Sequence, residues 1–219
     1  MERKIVVFDL DDTLYQEIDF VKSAFGEIAE RLGRPELCLL MLNWFMGGNN
    51  AFEELNSYLG INVPIQEYLQ IYRLHKPNIK LSPEVRSVLD TLTLHGCVLG
   101  IITDGRGVSQ MNKIESLGLL KYMDVSNIIV SEIFGTEKPS MSNYLYFEHK
   151  YPNAEYFYVG DNLQKDFYAP NCLSWHTVML KDNGRNIHQS VIDNELYAPK
   201  YTINCFSELL GIVYKDESE

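Results

Sequence analysis

The sequence predicts an α/β fold, a doubly wound parallel sheet with helices on both faces and a small all-helical cap domain. Three observations predict it. Short apolar runs, typical of strands, recur along the 219-residue chain. Segments with helical periodicity separate these runs, an alternation that is typical of parallel sheets. One long stretch near the N-terminus shows only helical periodicity.

Six apolar runs are predicted to be strands. The first, at residues 4–9, is rich in Val and Ile and ends in carboxylates, as a central parallel strand buried on both faces would. The others are at residues 98–103, 127–131, 155–160, 176–180 and, more weakly, 200–204.

Helical patterns lie between these strands. Residues 83–95 form one, with Ser82 as the expected N-cap and Pro83 at the first helical position. Residues 108–117 form another, which Gly118 ends, and residues 140–150 form a third. Residues 207–210 could begin a closing turn of helix.

The stretch at residues 18–79 departs from this alternation. Apolar residues recur there with helical spacing, notably in 37–45, 52–59 and 64–74. The stretch is too long for a simple crossover between strands. We therefore expect residues 1–17 and 80–219 to form the catalytic core, and residues 18–79 to form a helical cap domain over the edge of the sheet.

Composition excludes several classes of protein. Hydrophobic residues make up 46% and charged residues 22% of the chain, which is ordinary for a soluble globular protein. The apolar runs are too short to cross a membrane, and the N-terminus shows no signal-peptide pattern. We therefore expect a cytoplasmic protein without a membrane partner.

The formal net charge of -11, with no basic cluster, argues against a nucleic-acid partner. The four cysteines are widely scattered, so free thiols are expected rather than a zinc site or disulfides. A small anionic substrate remains possible if a cation, a lysine and backbone N–H groups make a pocket locally positive.

Polar residues follow four of the predicted strands. Ligands of open α/β sheets bind beyond the carboxyl ends of the strands, so these residues are expected to converge on one crevice. In chain order they are Asp9, Asp11, Thr103, Asp104, Gly105, Lys138, Asp161 and Asp166.

A cation is expected among these carboxylates. Asp9, Asp11 and Asp161, gathered closely, would repel one another strongly unless their pKa values rose or an ion neutralised them. Carboxylate oxygens without His or Cys suit a hard ion, and Mg²⁺ is the common choice beside phosphate. Such an ion would let an anionic ester approach a carboxylate.

The remaining groups suit phosphoryl transfer. Asp9 can attack phosphorus and form an aspartyl-phosphate, and Asp11 can protonate the leaving oxygen and then deprotonate the attacking water.

Phosphate binding is assigned to Thr103, Asp104, Gly105 and Lys138. The Thr103 hydroxyl and the loop N–H groups beside it can bond phosphate oxygens, and Lys138 can balance charge in the transition state.

Four motifs in this order resemble the haloacid dehalogenase superfamily, and specifically its phosphatase branch. They are DLDDT at residues 9–13, ITDG at 102–105, EKP at 137–139 and VGDNLQKD at 159–166. The first motif alone is moderately specific, whereas the ordered set is highly specific. The resemblance covers essentially the whole chain.

This resemblance implies a Rossmann-like core and a bound Mg²⁺. The ion would be held by Asp9, the backbone carbonyl of Asp11, and Asp161, with Asp166 acting directly or through water. The insertion at residues 18–79 matches the position of the family's helical cap, which implies that this segment selects the substrate.

The predicted function is a Mg²⁺-dependent phosphomonoester hydrolase acting on a small phosphorylated metabolite, a nucleotide or sugar phosphate. Three alternatives remain. A dehalogenase needs Asp9 but neither Asp11 nor the metal, and a phosphomutase would keep Asp11 but exclude water. A non-catalytic domain phosphorylated on aspartate would lack the long insertion. The sequence leaves the oligomeric state open.

Overall fold

A parallel sheet forms the centre of the computed structural model, which describes residues 3–187 and 194–215. Its strands are β1 (Arg3–Phe8), β2 (Val98–Thr103), β3 (Ile128–Val130), β4 (Ala154–Gly160), β5 (His176–Leu180) and β6 (Tyr201–Ile203). They lie in the order β3-β2-β1-β4-β5-β6, and every neighbouring pair is parallel. This arrangement confirms the predicted α/β fold with a doubly wound, Rossmann-like sheet.

The strand predictions agree with the structure to within one residue at each end. The predicted strand at residues 127–131 is shorter in the structure, because Asn127 ends a 3₁₀ turn and Ser131 begins a helix. The Asn127 side chain donates to the Leu99 carbonyl at 3.1 Å, which fixes the turn against β2.

Helices surround the sheet. Those of the first half are α1 (Glu17–Arg31), α2 (Leu37–Met46), α3 (Ala51–Leu59), α4 (Ile65–Leu74) and α5 (Pro83–Leu94). The second half has α6 (Gly107–Ser116), α7 (Ser131–Phe134), α8 (Met141–Lys150), α9 (Tyr168–Cys172) and α10 (Leu209–Val213). Short 3₁₀ helices occupy Leu119–Lys121, Val125–Asn127, Glu195–Tyr197 and Phe206–Glu208.

The predicted start of α5 is confirmed, since the Ser82 hydroxyl accepts a hydrogen bond from the Val85 N–H at 3.1 Å. The predicted closing turn at residues 207–210 is a 3₁₀ turn followed by α10. Helices α7 and α9 were not predicted.

Alternate side chains of β1 enter two different apolar clusters, as a strand with two covered faces requires. Val6 and Phe8 pack in the cluster that includes α5 and α10, whereas Ile5 and Val7 pack with residues of α8 and with Trp175. All four are fully buried. The first strand in the sequence is therefore the centre of the core.

Helices α1–α4 bury a third apolar cluster of their own. It is centred on Phe25, Ile28, Met41 and Leu55, and Ile187, from the loop after β5, packs against it. That these helices form a separate cap domain with the boundaries given above stays a prediction.

Among the described residues, none of the helices combines the length and apolar character that a membrane crossing needs.

The contact between Gly100 and Phe147 gives a stability prediction. A Cβ at Gly100, in β2, would lie 2.5 Å from Cε1 of the fully buried Phe147. We expect Gly100→Ala to lower the free energy of unfolding by about 1–3 kcal/mol, because a packed core must shift to accept it. Urea denaturation measures this change.

The matched control is Gly211→Ala. Gly211 lies within α10 and a Cβ there meets nothing within 4 Å. Alanine should stabilise this helix by roughly 0.5–1 kcal/mol. Equal free energies of unfolding for the two variants would contradict the packing argument.

Candidate active site

The carboxyl ends of β1, β2 and β4 place the predicted site residues in one crevice. Phe8, at the end of β1, pairs with Ile101 and Val159. The N–H of Asp9 donates to the Val159 carbonyl at 2.8 Å, which fixes Asp9 beside the end of β4. The crevice lies where the strand order reverses, as doubly wound sheets predict.

The crevice contains a cavity of about 140 Å³. Six predicted site residues line it, whereas Gly105 and Asp166 are not among its lining residues. The lining residues are Asp9, Asp11, Asp12, Glu17, Thr103, Asp104, Lys138, Asp161, Asn162 and Lys165.

Lys138 lies between two carboxylates. Its Nζ is 2.6 Å from Asp9 Oδ1 and 2.7 Å from Asp166 Oδ1, and all three side chains are buried. Burial acts to lower the pKa of Lys138, but Asp166 and Asp9 outweigh it and raise that pKa well above its usual value. Lys138 therefore stays charged beside the predicted nucleophile.

The negative charge of an ionised Asp9 is only partly compensated by Lys138. Burial raises the pKa of Asp9 to about 8, and Asp166 adds to this rise while Lys138 opposes it. A carboxylate nucleophile must be ionised, so Asp9 needs a further positive charge close by.

Asp166 connects Lys138 with the loop after β4. Its Oδ1 accepts hydrogen bonds from Lys138 and from the Tyr158 hydroxyl at 3.1 Å, and its Oδ2 accepts from the N–H groups of Asp161 and Asn162 at 3.2 and 2.8 Å. The side chain is completely buried. These contacts favour a supporting role, and direct or water-mediated metal binding by Asp166 stays a prediction.

The carboxylates of Asp9, Asp161 and Asp166 each offer an oxygen, and these three atoms lie within 4.8 Å of one another. Burial raises the pKa of Asp161 to about 8, and the charges of Asp9 and Asp166 add to the rise. A set of crowded carboxylate oxygens without nitrogen or sulfur fits a hard divalent ion such as Mg²⁺. The predicted contribution of the Asp11 carbonyl stays a prediction.

Asp11 is held differently from Asp9. Its Oδ1 lies 2.7 Å from Lys113 Nζ and also accepts from the Tyr15 hydroxyl, and its Oδ2 accepts from Gln110 Nε2 at 2.8 Å. Burial acts to raise the pKa of Asp11, but Lys113 and the hydrogen bonds of Lys113, Tyr15 and Gln110 hold it below its usual value. Asp11 is therefore readily ionised, and it must take up a proton before it can act as an acid.

The predicted phosphate-binding residues differ in their surroundings. Thr103 lines the cavity, and its hydroxyl accepts from Gln110 Nε2 at 2.5 Å. Asp104 accepts from the Lys138 N–H at 3.0 Å and from Lys165 Nζ at 3.2 Å, so its side chain fixes the lysine loop. The Gly105 N–H donates to the Ser131 hydroxyl at 3.0 Å. Phosphate binding by these residues stays a prediction.

The loop after β1 is tied to two other segments by Asp12. Its Oδ1 accepts from the N–H of Glu17, at the start of α1, at 2.8 Å, and its Oδ2 accepts from the Ile187 N–H at 3.0 Å. Next to Ile187, Asn186 Nδ2 donates to Asp161 Oδ2 at 3.0 Å. The loop after β5 thus contacts both the loop after β1 and a predicted metal ligand.

Sequence reasoning missed several residues of the site. Arg106, which follows Gly105, pairs with Glu132 at 2.6 Å. Glu17 lay just outside the predicted cap boundary, where no motif marks it. The residues that were missed are Tyr15, Glu17, Gln110, Lys113, Lys165 and Asn186.

A sequence model of the family described as "Haloacid dehalogenase-like hydrolase" matches residues 6–175. The glyceraldehyde 3-phosphate phosphatase of Methanocaldococcus jannaschii is 30% identical, over 96% of both chains. The ribulose-1,5-bisphosphate 5-phosphatase of Halopiger xanaduensis is 29% identical, over 80% of this chain and 83% of its own. Among solved structures, the magnesium-bound HAD-hydrolase YfnB of Bacillus subtilis has a TM-score of 0.71 at 21% identity, covering 98% of this chain and 100% of its own.

The raised pKa of Asp161 gives a prediction on pH and Mg²⁺. In the unfolded chain Asp161 ionises near its usual pKa of 3.8, whereas in the folded chain it stays protonated up to about 8. Without metal, the folded state should therefore lose stability as the pH rises between these values. Mg²⁺ should offset this loss, so its stabilising effect should grow with pH.

Thermal unfolding with EDTA or with Mg²⁺, across this pH range, measures the effect. Asp161→Asn should remove most of the pH-dependent gain from Mg²⁺. A gain that is equal at pH 6 and pH 8.5 would contradict the assignment of the raised pKa.

Proposed function

This chain belongs to the haloacid dehalogenase-like hydrolase family, and from that premise we propose that it is a Mg²⁺-dependent phosphatase acting on a small sugar phosphate. Asp9 would attack phosphorus and form an aspartyl-phosphate. The observation that supports this most strongly is that Asp9, Asp11, Lys138 and Asp161 line a single cavity.

The geometry suits two successive displacements. An oxygen of Asp9 forms a bond to phosphorus while the bond to the leaving oxygen breaks. Asp11, after taking up a proton from solvent, gives that proton to the leaving oxygen. Asp11 then takes a proton from the water that attacks the phosphorus and regenerates Asp9. Lys138, 2.6 Å from Asp9, balances the charge on the nucleophile and the phosphoryl group.

A Mg²⁺ ion, when bound, supplies the positive charge that lets an ester dianion approach this acidic site. Asp9 and Asp161, with the carbonyl of Asp11, would hold it.

We assign substrate selection to α1–α4. These helices pack around their own apolar cluster, and Glu17, the first residue of α1, lines the cavity. A change in the position of α1 would therefore change the walls around the ester.

The charge of the cavity favours a substrate whose remainder is uncharged. Six carboxylates line it against two lysines, and Lys165 is already paired with Asp104. If the substrate carried a second anionic group besides its phosphate, the carboxylates around the cavity would repel that group. The cavity is also small, about 140 Å³. A short sugar phosphate such as glyceraldehyde 3-phosphate meets both conditions. The matched relative from Methanocaldococcus jannaschii is named as a phosphatase of this compound.

Asp9→Asn tests the reaction. It removes the nucleophilic oxygen, so Mg²⁺-dependent turnover of p-nitrophenyl phosphate and of glyceraldehyde 3-phosphate should fall at least about 1,000-fold. Phosphate release in Mg²⁺ and in EDTA measures this.

The matched control is Asp90→Asn, an exposed carboxylate on α5 with one long ion pair to Lys121 at 3.8 Å; it should keep full activity. Stable phosphorylation without turnover, or chloride release from a 2-haloacid without phosphate release, would contradict the proposal.

Glu17→Gln tests the preference for an uncharged remainder. Burial raises the pKa of Glu17 to about 8, so Glu17 acquires its charge as the pH rises through that value. In the unmodified protein, the preference for glyceraldehyde 3-phosphate over phosphoglycolate should therefore increase from pH 6.5 to pH 8.5. In Glu17→Gln this increase should be lost. At pH 8.5 the ratio of kcat/KM for glyceraldehyde 3-phosphate to that for phosphoglycolate should then be about tenfold lower than in the unmodified protein.

A preference with the same pH dependence in both proteins would show that Glu17 does not discriminate. Glu53→Gln, which changes an exposed glutamate in the first turn of α3, is the matched control.

A further inference from the structure

Helix α6 directs two polar side chains inward. Gln110 and Lys113 are three residues apart, so they lie on the same face of the helix, and they are only 2% and 4% exposed. Buried lysines are rare in proteins unless they are paired. The reason for burying Lys113 should therefore lie in what it contacts.

Lys113 joins the predicted acid/base to the first cap helix. Its ammonium lies 2.7 Å from Asp11 Oδ1 and 4.3 Å from the centre of the Phe20 ring in α1. The Asp11 side chain is 20% exposed, so this ion pair is largely screened from solvent. A lysine in this position restrains the carboxylate much more strongly than a surface lysine would.

Gln110 restrains the other oxygen of the same carboxylate. Its Nε2 donates to Asp11 Oδ2 at 2.8 Å and to the Thr103 hydroxyl at 2.5 Å. One amide therefore connects the predicted acid/base with the predicted phosphate-binding hydroxyl. With donors on both oxygens, Asp11 cannot rotate about its terminal bond without losing a hydrogen bond.

The two oxygens of Asp11 are not equivalent. Among the described residues, Oδ1 accepts from both Lys113 and Tyr15, whereas Oδ2 accepts from Gln110. A carboxylate oxygen has two lone pairs, so Oδ2 keeps one on which it can hold a proton.

The same helix also contacts the end of α4. The Ser109 hydroxyl donates to the Arg73 carbonyl at 3.0 Å, and Asn112 Nδ2 donates to the carbonyls of Leu74 and His75 at 3.3 and 3.2 Å. Helix α6 is thus hydrogen-bonded on one side to the end of α4 and on the other to Asp11.

We propose that Lys113 and Gln110 are positioning residues that orient Asp11 so that Oδ2 exchanges the proton with the leaving-group oxygen. This inference rests on the function proposed above. In the first step the P–O bond to the leaving group breaks as its oxygen takes from Oδ2 a proton that Asp11 has acquired from solvent. In the second step the water that attacks phosphorus gives a proton to Oδ2, its oxygen stays on the released phosphate, and Asp9 is regenerated. The hydrogen bonds between α6 and the end of α4 fix this orientation of Asp11 relative to helices α1–α4.

Lys113→Met tests the inference through the dependence on the leaving group. An alkyl phosphate such as glycerol 3-phosphate needs a proton on its departing oxygen, whereas the p-nitrophenolate of p-nitrophenyl phosphate departs without one. The kcat/KM value covers the steps up to departure of this group. We expect Lys113→Met to lower kcat/KM for the alkyl ester at least about tenfold more than for the aryl ester.

Three further variants make the test specific. Asp11→Asn should show the same discrimination between esters, and adding Lys113→Met to it should cause no further discrimination, as expected for residues that act as a unit. Lys113→Arg, which keeps a cationic donor, should recover most of the loss on the alkyl ester. Lys121→Met, the same change at an exposed lysine, should alter neither ester.

Equal losses on both esters in Lys113→Met, with a normal circular dichroism spectrum, would overturn the inference and leave the proposed function intact. If Lys113→Met does not fold, Gln110→Leu takes its place, with the same expected ratio and the same overturning result. Absence of turnover of both esters by the unmodified protein would overturn the proposed function and this inference together.

Discussion

The buried contact of Lys138 with Asp9 and Asp166 is the interaction on which the site depends. Three charges are withdrawn from water there, which is favourable only when each has a partner and hydrogen bonds satisfy the remaining atoms. Asp166 meets this condition by accepting from Tyr158 and from two backbone N–H groups. The lysine loop is fixed in turn by Asp104. The contact joins three segments that are distant in sequence.

The two carboxylates of the first motif have opposite environments. Asp9 shares its lysine with Asp166, and burial raises its pKa, whereas Asp11 has Lys113 to itself among the described salt bridges and has a lowered pKa. One carboxylate therefore still needs a cation, and the other is already compensated. In the proposed reaction Asp9 therefore requires a cation beside it, and Asp11 requires a proton before it can act as an acid.

The sequence was sufficient to predict the sheet, because β1, β2 and β5 are apolar runs bounded by polar residues. It also predicted six of the residues that line the cavity, since parallel strands place their carboxyl ends together. Helices α7 and α9 have four and five residues, too few to show periodicity.

Gln110 and Lys113 could not be predicted for a different reason. Their contacts reach Asp11 across 99 and 102 residues of sequence. In a single sequence, a polar residue in an amphipathic helix is expected to face solvent. Only the docking of α6 against the first loop shows that this face is turned inward.

The position of β1 in the sheet has a consequence for synthesis on the ribosome. The strand emerges first, but its neighbours β2 and β4 begin at Val98 and Ala154. Until they emerge, the fully apolar centre of β1 has two unpaired edges, a state that favours association between nascent chains. Helices α1–α4 pack largely against one another, so much of their apolar cluster can form meanwhile. The N-terminal strand therefore gains its second sheet neighbour only after about two thirds of the chain has been synthesised.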